Sequence, residues 1–81
     1  MTVFTNRAVG RYCGGLAVVA ANSVEEAHET LLSRYDNEPY KQWVRSYYDD
    51  IYKSDNWQLV EGVIANTDLP YVIAEENYYD C

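Results

Sequence analysis

The sequence predicts an α+β fold: one domain with a small antiparallel sheet of about four strands, arranged β-β-α-α-β-β along the chain, and two helices packed on one face. Three observations lead there. Strand-like segments rich in β-branched and aromatic residues lie at both ends of the 81-residue chain. Two segments with helical spacing of apolar residues fill the middle. The breaks between segments are short and carry Gly, Pro, Asn and Asp, so the outer strands read as two hairpins flanking a helical centre.

Residues 3–9 read as the first strand. Gly10, Gly14 and Gly15 then mark a hairpin loop or bulged turn, in which Gly14 or Gly15 is expected to take a positive φ. Residues 16–21 are a continuous run of apolar side chains. Period alone does not separate strand from helix in so short a run, but the glycines before it and the helix cap after it favour a short central strand.

Ser23-Val24-Glu25-Glu26 has the form of a capping box, with the Ser23 hydroxyl accepting from the Glu26 amide and the Glu26 carboxylate reaching back to the Ser23 amide. Val24, Ala27, Leu31 and Tyr35 continue as an apolar stripe, widened by Leu32, so a helix runs from Val24 to about Tyr35. Pro39 ends it, because the residue before a proline is pushed out of the helical region. A second helix starts near Pro39. Tyr40, Trp43, Val44, Tyr47, Tyr48, Ile51 and Tyr52 recur on one face in the cleanest periodicity of the chain.

After the polar break 53–56, residues 57–64 read as a strand with Trp57, Leu59 and Val63 as core positions and a bulge at Gly62. Residues 70–75 read as a last strand at a sheet edge, since Pro70 has no amide to donate. Residues 76–81 carry no assignment.

A chain of this length buries about 60–65% of its unfolded surface, so the core is small. Nine tyrosines suit half-buried positions and interfaces. The net charge of −7 is unevenly placed: residues 1–22 hold Arg7 and Arg11 and no acid, whereas residues 54–81 hold six acids and no base. Such an acidic third repels nucleic acid and anionic membrane and attracts basic surfaces, or simply keeps the chain soluble. Cys13 and Cys81 are too few for a disulfide framework, and a reduced, cytoplasmic state is expected. No segment approaches the ~20 apolar residues that span a bilayer, and the first residues lack a signal-peptide run.

Chemical motifs are sparse. His28, the single histidine, sits one step off the helix stripe and reads as a flank residue rather than a general base beside Cys13. Asp49, Asp50 and Asp55 lack the spacing of a calcium loop, and one His with two distant Cys makes no zinc site. The glycine turn lacks the Lys-Ser/Thr of a phosphate loop. Catalysis, a cofactor and a metal are therefore not expected, and the scattered bases argue against nucleic-acid binding.

Tyr12-Cys13-Gly14-Gly15-Leu16, followed by Ala20-Ala21-Asn22-Ser23 and Glu26-Ala27, resembles a strand-cap-helix segment of small phage and prophage anti-defence proteins, the type II-C anti-CRISPR inhibitors of an HNH nuclease domain among them. The likeness covers residues 9–27 and carries over no functional residue. It implies an inhibitor acting by stoichiometric protein–protein binding in a host cytoplasm, on a basic surface such as that of a CRISPR effector nuclease. From the residues themselves, the expected contact surface combines Tyr71, Tyr78 and Tyr79 with Glu75, Glu76 and Asp80. The alternative is a sponge for a small ligand or nucleotide signal, with Arg7, Arg11 and the glycine turn as its anion site. Self-association stays open.

Overall fold

The computed structural model describes residues 1–8, 14–36 and 41–77. The elements are β1 (Thr2–Ala8), β2 (Gly15–Ala21), α1 (Val24–Ser33), α2 (Lys41–Ile51), a 3₁₀ turn (Ser54–Asn56), β3 (Trp57–Ile64) and β4 (Tyr71–Asn77). They form the expected α+β architecture. The sheet is antiparallel throughout, in the order β3-β1-β2-β4.

The second strand pair is not a hairpin, contrary to the sequence reading. The β1–β2 hairpin occupies the centre, and β3 and β4 take its two free edges. Residues 65–70 lack a two-residue Asn-Gly or Asp-Gly turn that would hold β3 beside β4. They cross instead from one edge to the other, a gap of three strand spacings or about 14 Å, within the reach of about 20 Å that six residues allow. Met1 and Ala65 exchange two backbone hydrogen bonds, each of 2.7 Å, which anchor the start of that crossing to β1. The edge position expected for the last strand is found at β4.

Register sets the two faces. Phe4 lies opposite Val19, Asn6 opposite Ala17 and Ala8 opposite Gly15, so these residues share the face on which the helices pack. The core there consists of Phe4, Ala8, Ala17, Val19, Ala21, Ala27, Leu31, Ile51, Tyr52 and Trp57. α1 packs on β2 and β4. Ala17, Val19 and Ala21 on β2 and Ala27 on α1 are fully buried, so the layer between helix and strand is largely of small side chains. Leu31, also fully buried, contributes about 1.5–3 kcal/mol by leaving water. α2 adds Ile51 and Tyr52 to the same core, with Tyr47 and Tyr48 packed against it.

Two of the three core positions expected on β3 are not core. Trp57 is buried, but Leu59 is 54% and Val63 45% exposed. β3 is an edge strand and α1 lies over the other half of the sheet, so Trp57 reaches the core and Leu59 does not, while the irregular stretch around Gly62 leaves Val63 on the opposite face. Trp43 on α2 is likewise 70% exposed, although it belongs to the aromatic stripe. Asn6 is fully buried, which the pattern does not announce. Its Nδ2 donates to the Lys53 carbonyl at 3.0 Å and ties β1 to the chain leaving α2.

The cap of α1 differs by one residue from expectation. Ser23, extended at φ −152°, accepts from the Glu26 amide through Oγ at 3.1 Å. The Glu26 carboxylate, however, accepts from the Asn22 amide at 2.8 Å rather than from Ser23, because the extended cap residue turns the preceding amide toward the first turn. At its other end, α1 tightens into i to i+3 bonds from the Tyr35 amide to Leu32 and from Asp36 to Ser33. The helix proper therefore stops before Tyr35.

Gly14 has φ +81°, and a Cβ there would meet the Ala8 carbonyl oxygen at 2.6 Å. Gly62 has φ +77°, where Leu59 opposite Phe4 gives way to Ile64 opposite Thr2. The expected bulge is thus present, and it is larger than the common two-against-one kind, with residues 60–63 set against Val3 alone. The expectations for Pro39, Tyr40, Gly10, Arg11, Cys13 and Cys81 concern residues outside those described.

Ser23→Ala is expected to cost on the order of 1 kcal/mol in denaturant melts, since it strands the Glu26 amide. Gly14→Ala combines a disfavoured φ with a backbone clash and is expected to cost about 1–3 kcal/mol. A Gly14→Ala protein as stable as wild type would contradict the turn geometry.

Candidate protein-binding surface

β4 carries the residues that sequence reasoning placed at the contact surface, and the pleat separates them. Tyr71 pairs with Ala20 and Glu76 with Leu16, so both lie on the face away from the helices, and both are exposed. Glu75 pairs with Ala17 and points under the helices. Its side chain is only 8% exposed. The Arg34 guanidinium donates to Oε1 at 3.0 Å, and the Tyr35 hydroxyl donates to Oε2. Glu75 therefore fastens β4 to the end of α1 and has little carboxylate left to offer a partner. Tyr78, Tyr79 and Asp80 lie outside the described residues.

Burial, followed by the hydrogen bond to Glu75 and the charge of that carboxylate, pushes the Tyr35 hydroxyl far above the ordinary phenol range. Its ring stacks on Tyr48 with centroids 3.9 Å apart and planes 2° from parallel. Tyr35, Trp43, Val44, Tyr47 and Tyr48 together line an open cleft of about 440 Å³.

His28 is spoken for by structure. The Trp57 indole, a donor only, donates to Nδ1 at 3.0 Å. That leaves Nε2 to carry the proton and donate to Asp49 Oδ1 at 2.6 Å. The ring bridges the start of β3 to α2 and has no free nitrogen for a base, which agrees with its reading as a flank residue. Arg7, one arm of the expected anion site, is exposed in a depression of about 320 Å³ with Thr5, Asp55, Asn56, Trp57 and Gln58. Asp55 shares that depression and works against an anion there.

The feature that sequence reasoning missed is apolar. Among the described residues, the large hydrophobics at least two-fifths exposed are Trp43, Leu59, Val63, Ile64, Leu69, Tyr71 and Ile73. All but Trp43 fall in β3, β4 and the crossing between them. Isolated exposed apolar residues are ordinary, but six within fifteen positions are a concentration, divided between the two edges of the sheet: Leu59, Val63 and Ile64 on β3, Tyr71 and Ile73 on β4, and Leu69 on the crossing that joins them. Ile64 and Leu69 are 76% and 74% exposed, so they are nearly as wet as in an unfolded chain. Asp55, Glu61, Asp68 and Glu76 are exposed in the same segment, and it holds no Lys or Arg. Exposed large apolar residues accompanied by carboxylates and by no Lys or Arg have the composition of a contact surface for a basic partner.

No protein-family model, curated protein or solved structure matches the chain. Among the described residues no helix is long and apolar enough to cross a membrane, and no cluster of three or more metal-ligating side chains forms.

Tyr35 gives a pH dependence with a definite sign. Its hydroxyl holds its proton more tightly folded than unfolded, where it titrates near 10. The stability it lends is full below that pH and is lost as pH rises toward the folded value. Melts of wild type and Tyr35→Phe from pH 8 to 11 should show wild type losing its advantage over the variant above about pH 10. A constant difference across that range would refute the Tyr35–Glu75 bond.

Proposed function

We propose that this protein is a non-catalytic inhibitor that binds a basic face of another protein stoichiometrically. The observation that carries the reading is the exposure of Leu59, Val63 and Ile64 on the β3 edge and of Leu69 on the crossing, in the same stretch as the exposed carboxylates Glu61 and Asp68, with no base from residue 54 onward. Apolar and aromatic side chains supply contact area at low entropic cost. The carboxylates steer a basic partner into register and can compete for Arg and Lys that otherwise hold phosphate. Two copies of this chain would bring like charge together on such a surface, which favours a different protein as partner. The proposed surface accordingly runs from the β3 edge along the crossing to Tyr71 at the start of β4, with Glu76 further along that second edge, while Glu75 remains with the fold. The resemblance of residues 9–27 to anti-defence inhibitors makes a CRISPR effector nuclease the first partner to try.

The test is association kinetics with that effector, or with a protein captured from bacterial lysate if the effector does not bind. The triple variant Glu61→Lys, Asp68→Lys, Glu76→Lys should slow association about tenfold at low salt and flatten its salt dependence. Leu69→Ser with Tyr71→Ser should chiefly speed dissociation. Melting temperatures should stay close to wild type, because none of these side chains is buried. Unchanged rates in both variants would place the binding surface elsewhere.

A further inference from the structure

We infer that the outer edge of β3 takes up an extended, basic segment of a partner protein as an added strand. This rests on the binding reading above and specifies its mode. β3 pairs with β1 on one side, and no described strand pairs with it on the other. Its backbone groups on that side form a template for another chain.

The side chains point to an in-plane neighbour rather than to one lying on a face. Leu59 stands opposite Phe4 and Ile64 opposite Thr2, so both share the helix face. Val63, beside Ile64, projects to the other face. All three are exposed. A helix or loop laid on the sheet would cover one of these faces and leave the other wet. A strand added at the edge flanks both, since its own side chains alternate.

The edge is also poorly guarded. Natural edge strands are blunted by Lys, Pro, brevity or a covering element. β3 is the longest strand of the sheet at eight residues and contains no Lys, Arg or Pro. Its guards are the bulge at Gly62 and the single charge of Glu61. β4, the opposite edge, begins after Pro70 and is clasped by Arg34 and Tyr35 through Glu75.

Charge selects the occupant. Glu61 on the strand, Asp55 before it and Asp68 after it are exposed, and residues 54–81 contain no base. A segment alternating basic and β-branched residues satisfies the template and the field together. A second copy of β3 offers only more Glu.

The experiment uses the isotopically labelled full chain and two capped octapeptides, one alternating Lys and Val and the other Glu and Val. The Lys-Val peptide should shift the amide resonances of residues 58–64 and slow their exchange with solvent about tenfold. The Glu-Val peptide should bind at least about tenfold more weakly. Glu61→Lys, an exposed substitution that leaves the core untouched, should narrow or reverse that preference. Leu59→Lys with Val63→Lys should abolish protection while the Trp57 indole resonance stays in place. Equal binding of the two peptides, protection at β4 instead of β3, or no binding at millimolar peptide would overturn strand addition. A partner whose dissociation responds to Leu69→Ser and Tyr71→Ser, yet leaves the β3 amides unprotected, would overturn strand addition and leave the binding function standing.

Discussion

The close seating of α1 on β2 is the contact on which the rest of the structure depends. Ala17, Val19 and Ala21 on the helix face of β2 and Ala27 and Leu31 of α1 are all fully buried, so the contact is close-packed and built largely of small side chains. β2 is hydrogen-bonded on both sides, to β1 and to β4, and it passes directly into the Ser23 cap. The helix therefore sits over β2 and β4 and cannot also cover β3. The uncovered edge on the helix side of the sheet, with its exposed Leu59 and Ile64, is a direct consequence of that placement. A larger residue at Ala17 or Ala27 would lift the helix and cost what overpacked cores cost, about 1–3 kcal/mol.

Polar fasteners supplement so small a core. Each ties a further element to the α1–β2 contact or to the strands beside it. Asn6 holds the Lys53 carbonyl and fixes how the chain leaves α2. Trp57, His28 and Asp49 form a chain of bonds that pins the start of β3 to both helices. Glu75 gathers Arg34 and Tyr35 and pins β4. Surface ion pairs contribute little, commonly below about 1 kcal/mol. The Glu75 cluster differs because its carboxylate is nearly buried and fully engaged, so losing one partner would leave an expensive group behind. Glu29 and Asp36, which bracket the half-exposed Arg45, are of the weaker kind.

Local signals were legible in the sequence and long-range ones were not. Gly14, the bulge at Gly62 and the Ser23 hydroxyl cap each follow from chemistry within a few residues, and each is where the pattern puts it. The α+β class follows from the order of periods. Strand order does not, because the choice between a β3–β4 hairpin and a split across both edges depends on which neighbour is free, not on the strands themselves. The same gap explains Leu59, whereas Val63 is turned to the opposite face by the irregular stretch around Gly62. Period-two apolar residues mark a face, but the period cannot say whether a helix covers that face at an edge strand. Glu75 and Glu76 look alike in sequence, yet one parity step places the first under the helices and the second in water. The exposed patch could have been suspected from one clue: residues 59–73 are rich in large apolar side chains in a chain whose helices already supply a full apolar face.

The fold thus separates what holds it together from what it leaves exposed. Every fastener described above engages the helix face or the elements packed on it, and the apolar residues of β3, β4 and their crossing take part in none of them. Selection for stability alone would drive Ile64 and Leu69 toward polar residues, since at about three-quarters exposure they contribute almost nothing to the core and raise the risk of aggregation. Selection for solubility alone would account for the carboxylates but not for the hydrophobics among them. Both observations fit one requirement, a surface that must stay soluble until it meets a particular basic partner. On the proposed reading, the acids would guard that surface before the encounter and guide it during the encounter, and the apolar side chains would supply the area that holds the complex.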